Sequence, residues 1–157
     1  MNRFWKAVWI ATLVAGTLDI AAAHVNQLIR TGAFPARIFN FIAGGATGLE
    51  KALSGGVAVV VLGVLIHYFI SFSFTLLFFV MYPVIVKISR NKYVNGILYG
   101  AIVWAVMNLI VLPYSALPAK PFVFNSQAVI GLLILMVVFG PPVSLLADRY
   151  YKHLTSK

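Results

Sequence analysis

Cysteine is absent from the 157-residue chain, and acids are nearly so: Asp19, Glu50 and Asp148 are all it has. Without thiols there is no disulfide, no thiolate nucleophile and no cysteine-held zinc or iron–sulfur centre. With three carboxylates spread along the whole length, a paired-carboxylate mechanism has almost nothing to draw on. The H-E-x-x-H and G-x-S-x-G signatures, phosphate-binding glycine loops and dinucleotide fingerprints are missing as well. The sequence therefore reads as non-enzymatic, with no metal site and no cofactor. Charge of either sign is scarce, at 10% of residues, against about 25% in a soluble domain. So few charges cannot coat a surface that faces water, and the exterior must face lipid.

What is present fits that inference. The chain is 62% hydrophobic and its mean hydropathy is +0.97. Its 12 basic residues give a net charge of +9, but they sit in short clusters between long apolar runs. That distribution suits topology signals and anionic lipid contact, and no basic module stands apart to bind nucleic acid.

Four apolar runs are long enough to span a bilayer, at about 5–28, 57–86, 94–112 and 126–147. The expectation is an all-α integral membrane four-helix bundle, one transmembrane domain over residues 1–157. The first run also resembles a secretory signal, with Ala21-Ala22-Ala23 as a cleavage site, but its apolar stretch is long and favours an uncleaved span. Pro83 lies close to the end of the second run, and Gly140-Pro141-Pro142 should break or kink the fourth.

Orientation follows from the basic residues. Arg3, Lys6, Lys87, Arg90, Lys92, Arg149, Lys152 and Lys157 fall on one side; Arg30, Arg37, Lys51 and Lys120 fall on the other. The richer side is expected to be cytoplasmic, which puts both termini inside a bacterial inner membrane. Trp5, Trp9, Tyr82, Tyr93, Tyr150 and Tyr151 would form the inner aromatic belt, with Tyr114 at the outer one.

The connection 29–56 is not a plain hydrophilic loop. Phe34, Ile38, Phe39, Phe41 and Ile42 recur at helical spacing opposite Arg37 and Asn40, and Pro35 suits a first helical turn. Gly44-Gly45 and Gly55-Gly56 punctuate the run. One or two short amphipathic helices in the outer interface, or a re-entrant element, are expected; simple coverage of the helix ends is the plainer alternative. Pro113–Pro121 should form a stiff turn.

Ionisable groups inside a bilayer are costly and tend to mark function. At 1.5 Å per residue, Asp19 and His67 lie ~14–15 Å below the outer ends of their spans, and Asn108 lies ~6 Å below the end of its own. Thr12, Asp19, Asn26 and Arg30 share one stripe of the first span; Gly56, Gly63, His67 and Ser71 share one of the second, with Phe74 and Phe78. Asp19, His67, Asn108, Ser71 and Asn26 are thus the candidate site for a ligand or proton. An Asp19–His67 pair is sterically reasonable, with the carboxylate fixing the imidazole tautomer. The alternative is interhelical glue, worth only ~0.6 kcal/mol on average. His24 lies on another face and nearer the surface, and a haem held by His24 and His67 is disfavoured by their difference in depth. Gly63, Gly96 and Gly100 are candidate helix-packing positions, and Gly44-x-x-x-Gly48 and Gly96-x-x-x-Gly100 have small-residue spacing. Asp148, Arg149 and Lys152 read as a solvated charge cluster at a helix end.

The stretches Gly16-Thr17-Leu18-Asp19, Phe34-Pro35-Ala36-Arg37-Ile38, Ala43-Gly44-Gly45-Ala46, Tyr99-Gly100, Met107-Asn108 and Leu112-Pro113-x-Ser115-Ala116-Leu117-Pro118 resemble a pattern in small four-span bacterial inner-membrane proteins of uncharacterised function. The likeness is to distant YagU-like proteins. The resemblance implies four helices and an inner membrane, and it implies no reaction. The expected activity is binding or movement of a small solute or proton, and four helices would need a homo-oligomer or larger complex to enclose a wide path. The competing expectation is an accessory or structural subunit of a membrane complex.

Overall fold

A computed structural model describes residues 3–32, 37–118 and 122–155. The sequence readings that fall on Phe34, Pro35, Lys120, Pro121 and Lys157 lie outside these residues. Among the described residues every regular element is helical. Four long helical segments are apolar enough to cross a membrane: Arg3–Thr31 (α1), Val57–Ile88 (α4), Lys92–Val111 and Ser126–Leu154. The chain is a multi-pass membrane protein built as an all-α bundle.

The third segment is an α-helix, α5 (Lys92–Val106), that widens into a π-helical turn at Met107–Val111. The fourth is α6 (Ser126–Ile134), a second π-helical turn at Leu135–Phe139, and α7 (Gly140–Thr155). Local chemistry sets the starts. Asn91 Oδ1 accepts from the backbone N–H groups of Tyr93 and Val94, and Asn125 Oδ1 accepts from that of Ala128, so each asparagine satisfies orphan donors of the helix it opens.

The expected break at Gly140-Pro141-Pro142 is not there, and this corrects the sequence reading. The chain stays helical through both prolines. The irregularity lies one turn earlier, where the wide turn Leu135–Phe139 takes up the mismatch that two missing N–H donors impose. Pro83 is likewise carried inside α4.

Residues 38–54 form two short helices, α2 (Ile38–Thr47) and α3 (Leu49–Ser54). They are tied into the bundle. Asn40 Nδ2 donates to the Ala52 carbonyl at 2.7 Å, and the Ala116 N–H donates to the Gly45 carbonyl at 2.8 Å. Gly63, two turns into α4, lets α2 lie against it: a Cβ there would run into the carbonyl of Phe39. The α2 layer therefore reaches ~9 Å past the start of α4. Gly48, between α2 and α3, has φ +86°, a conformation that glycine adopts without steric cost.

The two ends of the bundle differ. Toward the end holding both termini, Val8, Ala11 and Ala15 of α1 pack with Phe78, Phe79 and Tyr82 of α4, Tyr99 and Val103 of α5, and Phe139, Val143 and Ala147 of the last segment. Gly96, Gly100 and Gly140 allow α5 to touch the last segment backbone to backbone; a Cβ at Gly100 would meet the Leu135 carbonyl. Toward the α2 end the helices part. Outward positions along the spans are mostly apolar, with Phe69 70% and Val137 65% exposed, as lipid-facing positions require; the exposed hydroxyls of Thr17 and Ser73 are each hydrogen-bonded within the protein.

Candidate functional site

Where the helices part, a cavity of about 700 Å³ opens between α1, the Met107–Val111 turn, α6 and the layer made by α2 and residues 112–118. That is the size of ligand pockets, commonly ~300–1,000 Å³. Asp19, Asn26 and Arg30 face it from the α1 stripe, and Trp104, Asn108 and Phe122 line the other side. Arg30 is exposed at the rim, whereas Asp19 is partly buried.

Three of the five predicted site residues, Asp19, Asn26 and Asn108, thus share this cavity. His67 and Ser71 do not reach it. They line a second space of about 190 Å³, between α1, α4 and the two π-helical turns, and Asp19 borders that one too. Asp19 is the junction of the two. No hydrogen bond or ion-pair contact joins Asp19 and His67 among the described residues, although the two are near enough to interact electrostatically. His67 Nε2 instead donates to the Gly16 carbonyl at 2.8 Å. Gly16 makes this contact available, because it has no side chain and Ser71 presses against it; a Cβ at Gly16 would lie 3.0 Å from Ser71 Oγ.

The remaining polar groups have local partners. Asn108 Nδ2 donates back to the Trp104 carbonyl at 2.9 Å, and Asn26 Nδ2 donates to Gln127 Oε1 at 3.5 Å. His24 Nδ1 donates to the Ile20 carbonyl, and its ring packs beside Phe39, 5.5 Å between centroids, so it belongs to the α1–α2 contact. No three His, Asp or Glu side chains among the described residues gather to hold a metal ion.

Sequence reasoning missed part of this wall. Trp104 lies four residues before Asn108, on the same helical face, and its ring meets Phe122 and Phe124 edge-on at 5.7 and 6.0 Å. The spacing to Asn108 was the available signal. Thr75 was missed as well. It continues the His67–Ser71 stripe by one turn and is fully buried.

Asp148 corrects another expectation. It is not solvated but 6% exposed, at the crossing of α4, α5 and α7. The Tyr82 hydroxyl donates to its Oδ1 at 2.8 Å, Lys152 lies 2.9 Å from Oδ2, and Lys92 lies 3.6 Å from it. Tyr82 in turn stacks on Tyr151, whose hydroxyl donates to the Phe79 carbonyl. Arg149 has no part in this knot.

The chain matches no family model, no curated protein and no solved structure.

Proposed function

We propose that this is a non-enzymatic membrane protein that binds a small organic cation in the larger cavity, with Asp19 as the anchoring anion. The Asp19 carboxylate carries the reading. It lies partly buried at the meeting of two cavities, and no described side chain gives it a hydrogen bond or an ion-pair contact; His67 alone acts on it electrostatically from nearby. A carboxylate so placed in a bilayer is costly unless something pairs with it. Trp104 and Phe122 supply aromatic rings on the opposite wall, and such rings attract cations by roughly 0.5–2 kcal/mol. The amides of Asn26 and Asn108 complete a mixed polar and aromatic lining. In the preferred orientation the termini are cytoplasmic in a bacterial inner membrane, supported by the eight-to-four bias of basic residues, and the cavity opens outward. Single cysteines placed at Gly32 and Ser89 of this cysteine-free chain, reacted with an impermeant maleimide, read that orientation directly.

The binding test uses Trp104 as reporter, in a chain carrying Trp5→Phe and Trp9→Phe. Choline and tetraphenylphosphonium are each expected to change its emission saturably. The uncharged carbon isostere of choline should bind at least about tenfold more weakly, and Asp19→Asn should abolish the response. No saturable response to either cation, with stoichiometric co-purification of the chain in a larger complex, would instead favour the accessory-subunit reading.

A further inference from the structure

The smaller space carries chemistry of its own. At about 190 Å³ it has room for roughly six waters, at ~30 Å³ each. Its polar groups are the Asp19 carboxylate, His67 and Ser71. Ser71 is 4% exposed, and its hydroxyl has no hydrogen-bond partner among the described residues. The series continues below it. Gly16 lies against Ser71 across the antiparallel α1–α4 contact, so one turn further toward the termini on each helix brings Thr12 level with Thr75. Both are fully buried, at 0% exposure, and neither hydroxyl has a partner among the described residues. Unsatisfied buried hydroxyls cost about 1–3 kcal/mol each; of the three only Ser71 borders the smaller space, where water is the usual remedy.

The imidazole is fixed in a useful state. A carbonyl oxygen can only accept, so the 2.8 Å contact with Gly16 puts a proton on Nε2 of His67. Nδ1 is then the basic nitrogen.

We infer that the smaller cavity holds a file of ordered water joining the Asp19 carboxyl to Nδ1 of His67, and that the two share one proton. In the transfer, the carboxyl O–H bond breaks as a water O–H bond forms, and that water passes another of its protons to Nδ1. The products are a carboxylate and an imidazolium, with no net gain or loss of charge. Arrival of a cation at Asp19 from the larger cavity would favour this second state, and that consequence alone rests on the solute reading above. Few other groups can interfere. The titratable or charged side chains nearest on the packed elements are His24 and Arg30 of α1, Tyr68 of α4 and Tyr99 of α5. Tyr68 is bonded to Thr17 and Tyr99 to the Phe74 carbonyl; α2, α6 and both π-helical turns contribute none.

The test is nitrogen NMR of the full chain, labelled on histidine and reconstituted in lipid, with no solute added, so that it stands apart from the choline experiment. His67→Gln assigns the signal. Neutral His67 should be the Nε2–H tautomer with a water cross-peak at Nδ1. The imidazolium signal that the shared proton produces should fall at least about tenfold in Asp19→Asn. Ser71→Val, which fills part of the space, should remove the cross-peak while the Nε2 signal stays bonded. An Nδ1–H tautomer, a dry Nδ1, or an imidazolium signal indifferent to Asp19→Asn in a folded protein would each overturn the inference.

Discussion

Two aspartates lie within the bundle, and the protein treats them in opposite ways. Asp148 sits where the helices are closest, with a tyrosine hydroxyl and two lysines on its oxygens. Asp19 sits where they part, with no hydrogen bond or ion-pair contact from the described chain and a cavity on either side. A buried acid surrounded by donors locks helices together. A buried acid without them destabilises the bundle unless a proton, water or ligand completes it. The dense half of the molecule is therefore its scaffold, and the parted half is where binding should be sought. The small aromatic-free contacts made by Gly96, Gly100 and Gly140 let the same four helices do both, by drawing α5 and the last segment together at one end only.

The most severe way to break this division is to force the scaffold apart. Gly100→Val drives a Cβ bearing two methyl groups against the Leu135 backbone, and Leu135 borders both cavities. Overpacking of this kind costs about 3 kcal/mol, so the thermal midpoint in mild detergent should fall steeply. Asp148→Ala comes next. It orphans the Tyr82 hydroxyl and frees both lysines, at a cost of about 2 kcal/mol, whereas Asp148→Asn should recover part of that by accepting from Tyr82. Lys152→Ala should cost about 0.5 kcal/mol or less, because its side chain is 71% exposed and a solvated ion pair contributes little. Equal losses in Asp148→Ala and Lys152→Ala would show that the ion pair, and not the tyrosine, holds the knot.

This contrast was only half legible in the chain. The four spans follow from apolar length, and the depth of Asp19 and His67 follows from counting residues. The polar stripe of α4 also emerges from helical geometry, although Thr75 escapes because a lone threonine in a transmembrane run is unremarkable in type. What the sequence could not reveal depends on contacts between segments. The π-helical turns at Met107–Val111 and Leu135–Phe139 have no residue signature of their own. They displaced the expected break from Gly140–Pro142, and their widened backbone shapes both cavities. The burial of Asp148 was hidden for a similar reason, since charges four residues apart near a helix end look solvated until Tyr82 and Lys92 arrive from other helices. Whether two side chains on neighbouring spans touch is also set by rotation about each axis. A rotation of one residue decides whether His67 meets Asp19 or, as here, the carbonyl of Gly16.

The smallest effect on stability is expected where the effect on function is greatest. Asp19→Asn removes an acid that no described group holds by a hydrogen bond or ion-pair contact, and it keeps the volume and one acceptor oxygen. Relief from desolvation offsets any lost water contacts, so the thermal midpoint should stay the same or rise, by no more than about 1 kcal/mol of added stability. Asp148→Asn removes the same charge from the dense half and should lower it, because Lys92 and Lys152 lose their counter-ion. The sign of the difference between these two isosteric changes is therefore the sharpest measure of the contrast. If Asp19→Asn destabilises the bundle as much as Asp148→Asn does, then Asp19 is held by the fold, and the larger cavity has no anchor for a cation.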